Sequence, residues 1–205
     1  QRALKNIAKI KLTKEELQEK FASLGGNGQA VDVNSAFLRV VSAPKLTNQP
    51  NNVVVVLNES LGIWPFESRF KNLGLVPNLN EILSKPNCAS VANMLAQGDG
   101  TIASVNAFLT GLPAASVYEN YYTITHPKKY DLGIGDIMKK LGYKTVFWYG
   151  GFGQWQNIEK WALSQNFDEF ICADSIEHDG NSPWGCEDKL LFDAVSSYIE
   201  KNRKN

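Results

Sequence analysis

Apolar positions between residues 53 and 201 follow two rhythms that alternate along the chain. Val53-Val54-Val55-Val56-Leu57 is a short, wholly apolar, β-branched run, as in a strand covered on both faces of a parallel sheet. Pro77 to Ser84 follows with Leu79, Ile82 and Leu83 apolar, which predicts a helix, and Cys88 to Leu95 reads as a second strand. Ile102, Val105, Phe108 and Leu109 recur at helical spacing and mark a helix with one buried face. An irregular aromatic stretch runs from Tyr118 to Tyr130. Ile134, Ile137, Met138 and Leu141 then form an amphipathic helix closed by Gly142. Lys144 to Tyr149 predicts a strand, and Trp155 to Gln165 a helix with Ile158, Trp161 and Ala162 inward. Phe170 to Ala173 predicts another strand, and Glu187 to Lys201 a last helix with Leu190, Leu191, Ala194, Val195, Tyr198 and Ile199 apolar. Strands alternating with helices predict an α/β fold, an α/β/α layered arrangement around a mostly parallel sheet.

The first fifty residues follow neither rhythm for long. Thr13-Lys14-Glu15-Glu16 is a capping box, Leu17, Phe21 and Leu24 share a face, and Gly25-Gly26 ends that helix. From Asn27 to Asn52 the chain is polar and rich in Asn, Gln, Ser and Pro, with one short strand expected at Phe37 to Val41. Residues 1–51 therefore read as an arm or linker, and residues 52–205 as the domain proper.

Composition narrows the function classes. The 205 residues carry 21 basic and 21 acidic side chains, so the basic excess of a nucleic-acid surface is absent. No apolar run approaches the roughly 20 residues that span a bilayer, and no signal-peptide pattern opens the chain. A start at Gln1 without Met reads as a piece of a longer protein. Cys88, Cys172 and Cys186 are odd in number and contain no C-x-x-C pair, so they define neither a disulfide framework nor a zinc site.

Candidate chemistry gathers at element ends. Gln97-Gly98-Asp99-Gly100-Thr101 is a tight loop opening into a helix, with Gly98 and Gly100 expected to adopt conformations closed to other residues. The Thr101 hydroxyl would lie among helix-terminal N–H groups at the positive end of the dipole, an anion site with a nucleophile within it. Helix capping is the competing role for Thr101. Glu59 follows the first apolar run, at the end of a strand where α/β sheets bind ligands, and either caps a neighbouring helix or binds a cation. A divalent metal held by Glu59 and Thr101 would lower the pKa of the hydroxyl. Such a site needs further ligands. Gly150-Gly151-Phe152-Gly153 is a second glycine loop at a strand end.

Two segments carry a family resemblance. "NVVVVLNESLGIWPFE…VPNLNEIL…AQGDGTIASVNAFLTGLP" and "LGYKTVFWYGGFGQWQNIEKWALSQNFDEFI…WGCEDKLLFD" resemble the lipoteichoic acid synthase and phosphoglycerol transferase branch of the alkaline phosphatase/sulfatase superfamily. The resemblance covers roughly residues 52–200 and matches, in order, Glu59 to a metal-binding Glu, Pro77-Asn78-Leu79 to a P-N-L segment, and Thr101 to a nucleophilic Thr, with Thr110 to Pro113 matching T-G-L-P. It implies transfer of a phospho-group from a phospholipid or other phosphodiester donor, through a phospho-Thr ester, to a hydroxyl acceptor or water. It implies a divalent cofactor, Mn2+ first, with Mg2+ or Zn2+ as alternatives.

The resemblance also implies an extracytoplasmic catalytic domain on the bacterial cytoplasmic membrane. Residues 1–51 would then join a membrane anchor to this domain. The chain's partner would be the remainder of the catalytic domain beyond Asn205, with an Asp-His metal pair and a substrate His.

The second glycine loop departs from that pattern. Trp155 matches a substrate-binding Trp, but Gly151 stands where the relatives have Asp, and Asn157 where they have Arg. Packing is the competing role for Trp155. Departures at substrate positions leave a phosphodiesterase or sulfatase-like hydrolase, and a catalytically silent binding domain, as alternatives. His126 and His178 fall outside the family's motifs and read as surface loop residues. Thr101-Ile102-Ala103-Ser104-Val105 lacks the Pro and Arg of the C/S-x-P-x-R context of formylglycine sulfatases, which argues against ordinary sulfate-ester hydrolysis.

Overall fold

The computed structural model describes residues 12–23, 25–32, 35–36, 49–91, 94, 96–112, 120, 130, 132–176, 180 and 182–202. Two compact units result, one of residues Gln1–Val41 with Gln97–Asn205, the other of Ser42–Ala96.

In the larger unit, helix α1 (Lys14–Ser23) starts on the expected capping box. The Glu16 N–H donates to Thr13 Oγ1 at 3.2 Å, and the Thr13 N–H donates to Glu16 Oε2 at 2.8 Å. Reciprocal bonds of this kind satisfy two N–H groups that helix geometry leaves over. Phe21 is buried with Ala30 and Ala36 against Leu17, a small apolar cluster of its own. The strand expected at Phe37 to Val41 lies outside the described residues.

The smaller unit contains helix α2 (Pro77–Leu83), as the sequence predicts, with Pro77 at its first position, where no N–H is needed. Before it come two short 3-10 turns, Trp64–Phe66 and Ser68–Leu73. The Trp64 and Phe70 rings meet edge to face at 5.5 Å.

One expectation fails here. Val53 to Leu57 pair with no strand among the described residues, and their side chains are 48–59% exposed. A β-branched run favours a strand conformation locally, but a strand exists only when a neighbour completes its hydrogen-bond ladder. No such neighbour occurs among the described residues. Residues 88–91 and 94 of the second expected strand are likewise unpaired, and the rest of it lies outside the described residues.

The remaining elements of the larger unit are helix α3 (Thr101–Thr110), helix α4 (Ile134–Lys140), strand β1 (Val146–Tyr149), helix α5 (Ile158–Ser164), strand β2 (Glu169–Cys172) and helix α6 (Asp188–Lys201). β1 and β2 pair in parallel, with Val146 opposite Glu169 and Tyr149 opposite Cys172. Parallel neighbours need a crossover, which α5 supplies, so residues 146–172 form a β-α-β unit. The α/β expectation holds.

Val105 and Leu109 of α3 and Ile158, Trp161 and Ala162 of α5 form the core, with Phe108, Ile134, Phe147 and Phe170 packed on it. Phe147 stacks on Phe170 across the strand pair at 5.4 Å. In α6 the expected stripe from Leu190 to Ile199 is half-buried and the intervening positions are exposed. α4 departs from its expected face. Ile137 and Leu141 are exposed, and the helix packs through Ile134 and buried Gly135, whose missing side chain lets the backbone approach the Gln165 carbonyl.

Candidate active site at the start of helix α3

Gly100 is the N-cap of α3, so Thr101 is its first helical residue and does not cap it. Helix geometry places N–H groups without intrahelical acceptors in this first turn, at the positive end of the dipole. The Thr101 side chain is half-buried there, beside exposed Asp99 and Gly100.

Close approach holds the loop in place. A Cβ at Gly98 would overlap the Ala103 carbonyl carbon and lie 2.5 Å from the Ser104 nitrogen. Ser104 Oγ donates to the Gly98 carbonyl at 3.3 Å and so ties the loop to the first turn. Gly100 differs from expectation. Its φ of 178° is extended backbone open to any residue, and nothing lies within 4 Å of a Cβ built there. The loop requires one glycine, Gly98, because the chain crosses its own helix start at that point.

Deeper in α3 two polar side chains are buried, Asn106 and Thr110. Thr110 Oγ1 donates to the Asn106 carbonyl at 2.8 Å, an internal bond on the helix. Asn106 Nδ2 donates to Asn120 Oδ1 at 3.3 Å, and Asn120 is fully buried. Asn120 Nδ2 in turn donates to the Gln156 carbonyl, and Asn157 Nδ2 donates to the Asn120 carbonyl at 2.7 Å.

These last contacts hold an unusual turn. Gln156 and Asn157 have φ of 51° and 57°, two consecutive left-handed residues that are not glycine. For Gln156 this costs about 1–2 kcal/mol relative to the right-handed form, and less for Asn157, since asparagine enters that region more readily. The turn delays the expected helix from Trp155 to Ile158. Trp155 is half-buried and stacks on Tyr149, with centroids 5.9 Å apart.

The turn belongs to the rim beyond the carboxyl ends of β1 and β2, where open α/β sheets place their ligands. The Gly150 carbonyl accepts from the Cys186 N–H at 2.8 Å, and the Gly151 carbonyl from the Ala173 N–H at 3.0 Å. A Cβ at Gly151 would lie 2.6–2.7 Å from the outer atoms of the Tyr149 ring, so the phenol fills the space that a longer residue would enter. Burial pushes the Cys172 thiol up, and it donates to Asp174 Oδ2 at 3.3 Å. Burial raises Cys186 as well. Neither thiol has the thiolate character of a cysteine nucleophile.

The opposite rim carries the charges. Asp168 accepts from the Thr145 N–H at 2.8 Å and Thr145 Oγ1 at 2.9 Å, and pairs with Lys139 at 2.7 Å. Lys139 foremost, then the Thr145 N–H, hold its carboxyl down at about 2. Lys144 pairs with Glu169 at 2.5 Å, and Tyr198 donates to Glu169 at 2.9 Å. The Glu169 bond raises Lys144, and the Lys144 bond lowers Glu169. These contacts fasten strand starts to α4 and α6.

Thr101, Trp155 and Asn157 thus all belong to the larger unit, on α3 and on the turn before α5. Asn157 spends its side-chain amide on Asn120. Glu59 belongs to the smaller unit, where it is exposed in a turn rather than at the end of a buried strand. His126 and His178 lie outside the described residues. Among the described residues no three His, Cys, Asp or Glu side chains gather into a metal cluster. No helix among them is long and apolar enough to cross a membrane.

Sequence reasoning missed Ser104, Asn106 and Asn120. Asn106 left a signal, a polar residue on a helix face otherwise apolar, which demands a buried partner. Asn120 left none, since it follows no periodic pattern.

Comparison with known proteins accords with this architecture. A solved protein in the alkaline phosphatase superfamily from Vibrio parahaemolyticus is similar to this chain at a TM-score of 0.53 and 24% identity, over 62% of this chain and 32% of that one. The chain spans about a third of the length of that structure, and the likeness shows the alkaline phosphatase-superfamily fold. The sequence model of the Sulfatase family matches residues 51–205, well over half of the 205 residues, and the chain belongs to the sulfatase family.

Proposed function

We propose that this chain carries the nucleophile of a metal-dependent phospho-group transferase of the lipoteichoic acid synthase and phosphoglycerol transferase branch, with Thr101 as the attacking residue. The observation that carries the reading is Thr101 at the first position of α3, in a loop that Gly98 and Ser104 hold against the helix start. An attacking Thr101 Oγ forms an O–P bond to the donor phosphodiester and loses its proton to solvent. The bond from phosphorus to the lipid oxygen breaks, and that oxygen takes up a proton. A hydroxyl acceptor then displaces Thr101 from the phosphorus and restores the free side chain. N–H groups of the first turn and the helix dipole oppose the negative charge on the phosphoryl oxygens.

A divalent metal, when bound, depresses the hydroxyl pKa and adds charge stabilisation. The resemblance assigns it to Glu59 and Thr101 together with ligands beyond Asn205. Among the described residues no three His, Cys, Asp or Glu side chains gather into a metal cluster, and the steps above rest on Thr101 and its helix alone. Mn2+ is the proposed ion, and the outer face of the bacterial cytoplasmic membrane is the proposed location. Trp155 is the proposed head-group contact.

The test uses full-length protein with Mn2+ and fluorescent phosphatidylglycerol, quenched early and analysed by peptide mass spectrometry. A glycerophosphate adduct on Thr101, absent from Thr101→Ala, supports covalent transfer. Full donor turnover by Thr101→Ala overturns it. The same adduct with water as the acceptor identifies a hydrolase.

A further inference from the structure

Asn120 is the point at which two parts of the larger unit meet through one buried amide. Its Oδ1 accepts from Asn106 of α3, while its Nδ2 donates to the Gln156 carbonyl and its own carbonyl accepts from Asn157 Nδ2. Asn106 lies five residues into the helix that Thr101 opens, about 7.5 Å along its axis. On the other side are the two consecutive left-handed residues next to Trp155. That turn also buries Gln156 Oε1 with no hydrogen-bond donor among the described residues. A strained turn that leaves an acceptor without a donor does not hold itself. It persists only when its surroundings over-determine it.

We propose that Asn120 is a positioning residue that locks the Gln156–Asn157 turn to the nucleophile helix, and so fixes where the Trp155 loop stands relative to Thr101. The inference rests on the transferase reading for the role of that loop. Asparagine suits the task because one short, rigid head offers a donor to the turn and an acceptor to the helix. Aspartate keeps the shape and the acceptor but loses the donor. Alanine loses both.

The experiment compares full-length wild-type, Asn120→Asp and Asn120→Ala proteins by hydrogen exchange and by kinetics. Both variants are expected to exchange faster at residues 150–158, with β1 and β2 unchanged. With phosphatidylglycerol, kcat/KM is expected to fall about tenfold, the scale of one lost buried hydrogen bond to the loop, and KM carries the loss. Bis(p-nitrophenyl) phosphate, which has no glycerol head group, is expected to change less than about twofold. A merely structural role would lower both substrates together. Such a parallel loss, or unchanged exchange at 150–158 in the isosteric Asn120→Asp, overturns the proposal. If wild-type protein turns over neither ester, the transferase reading fails, and the exchange comparison still decides whether Asn120 holds the turn.

Discussion

Gly98 and Gly100 look equivalent in the sequence, and the structure makes them opposites. A methyl group at residue 98 would stand 2.5 Å from the Ser104 nitrogen and 2.7 Å from the Ala103 Cβ. Ordinary contacts between such atoms lie at about 3.5–4 Å. Something must therefore move by about 1 Å, and the crowded atoms include backbone of the first turn of α3, which no rotamer change relieves. Overpacking of this kind costs about 1–3 kcal/mol. The displacement falls on the turn that begins with Thr101, and a misplacement of about 1 Å at a reacting group costs about 10²-fold in rate. Gly100→Ala meets nothing within 4 Å and keeps an accessible φ. It changes only the N-cap preference, worth about 0.5–1 kcal/mol. Urea unfolding of the full-length variants measures the first quantity, and the rate of adduct formation at Thr101 the second. Gly98→Ala is expected to lose both stability and reactivity, and Gly100→Ala to stay near wild type. Equal behaviour of the two variants would refute the close approach as the reason for glycine at residue 98.

Asp168→Asn is expected to destabilise the fold near neutral pH. The carboxyl sits at about 2 against an ordinary 3.8, equivalent to about 2.4 kcal/mol by linkage and about 1 kcal/mol after solvent screening of a partly exposed pair. The depressed value means that this stabilisation is present above pH 4 and lost as pH falls toward 2, so the gap in Tm between wild type and variant should narrow in acid. A gap that stays constant down to pH 2.5 contradicts the assignment. Leu109→Ala, at a position with no exposed surface, should cost about 2–5 kcal/mol in urea unfolding. Ser104→Ala removes the 3.3 Å bond to the Gly98 carbonyl and should cost about 0.5–1.5 kcal/mol, with faster hydrogen exchange at residues 97–104.

Legibility tracked how local the determining physics was. The capping box at Thr13 and the inward face of Ile158, Trp161 and Ala162 are set within a few residues, and all appear as the pattern predicts. Val53 to Leu57 has an equally clear pattern, but its assignment as a strand depends on a ladder partner elsewhere, which no local rule supplies. The start of α5 was misplaced for a related reason. Trp155 to Asn157 carries no breaker, and only the contact with Asn120 reveals why two residues there turn left-handed. At the candidate site, the helix start and the position of Thr101 were legible. The distinction between Gly98 and Gly100 was not, since it arises from the chain passing its own helix.

The two ends of the β1/β2 pair divide stability from chemistry. At the strand starts Lys139 with Asp168 ties α4 to the sheet, Lys144 with Glu169 joins the two strand starts, and Tyr198 ties α6 to Glu169. Beyond the strand ends stand glycine carbonyls held by backbone N–H groups, two left-handed residues and a buried amide. Strain of that kind survives only where packing holds it. The strand starts are therefore where substitutions should act through global stability, with acid sensitivity as their mark. At the strand ends the loss of one hydrogen bond should change the geometry around Trp155 before it changes the melting temperature, because the apolar contacts of Val105, Leu109, Trp161 and Ala162 that hold α3 to α5 remain.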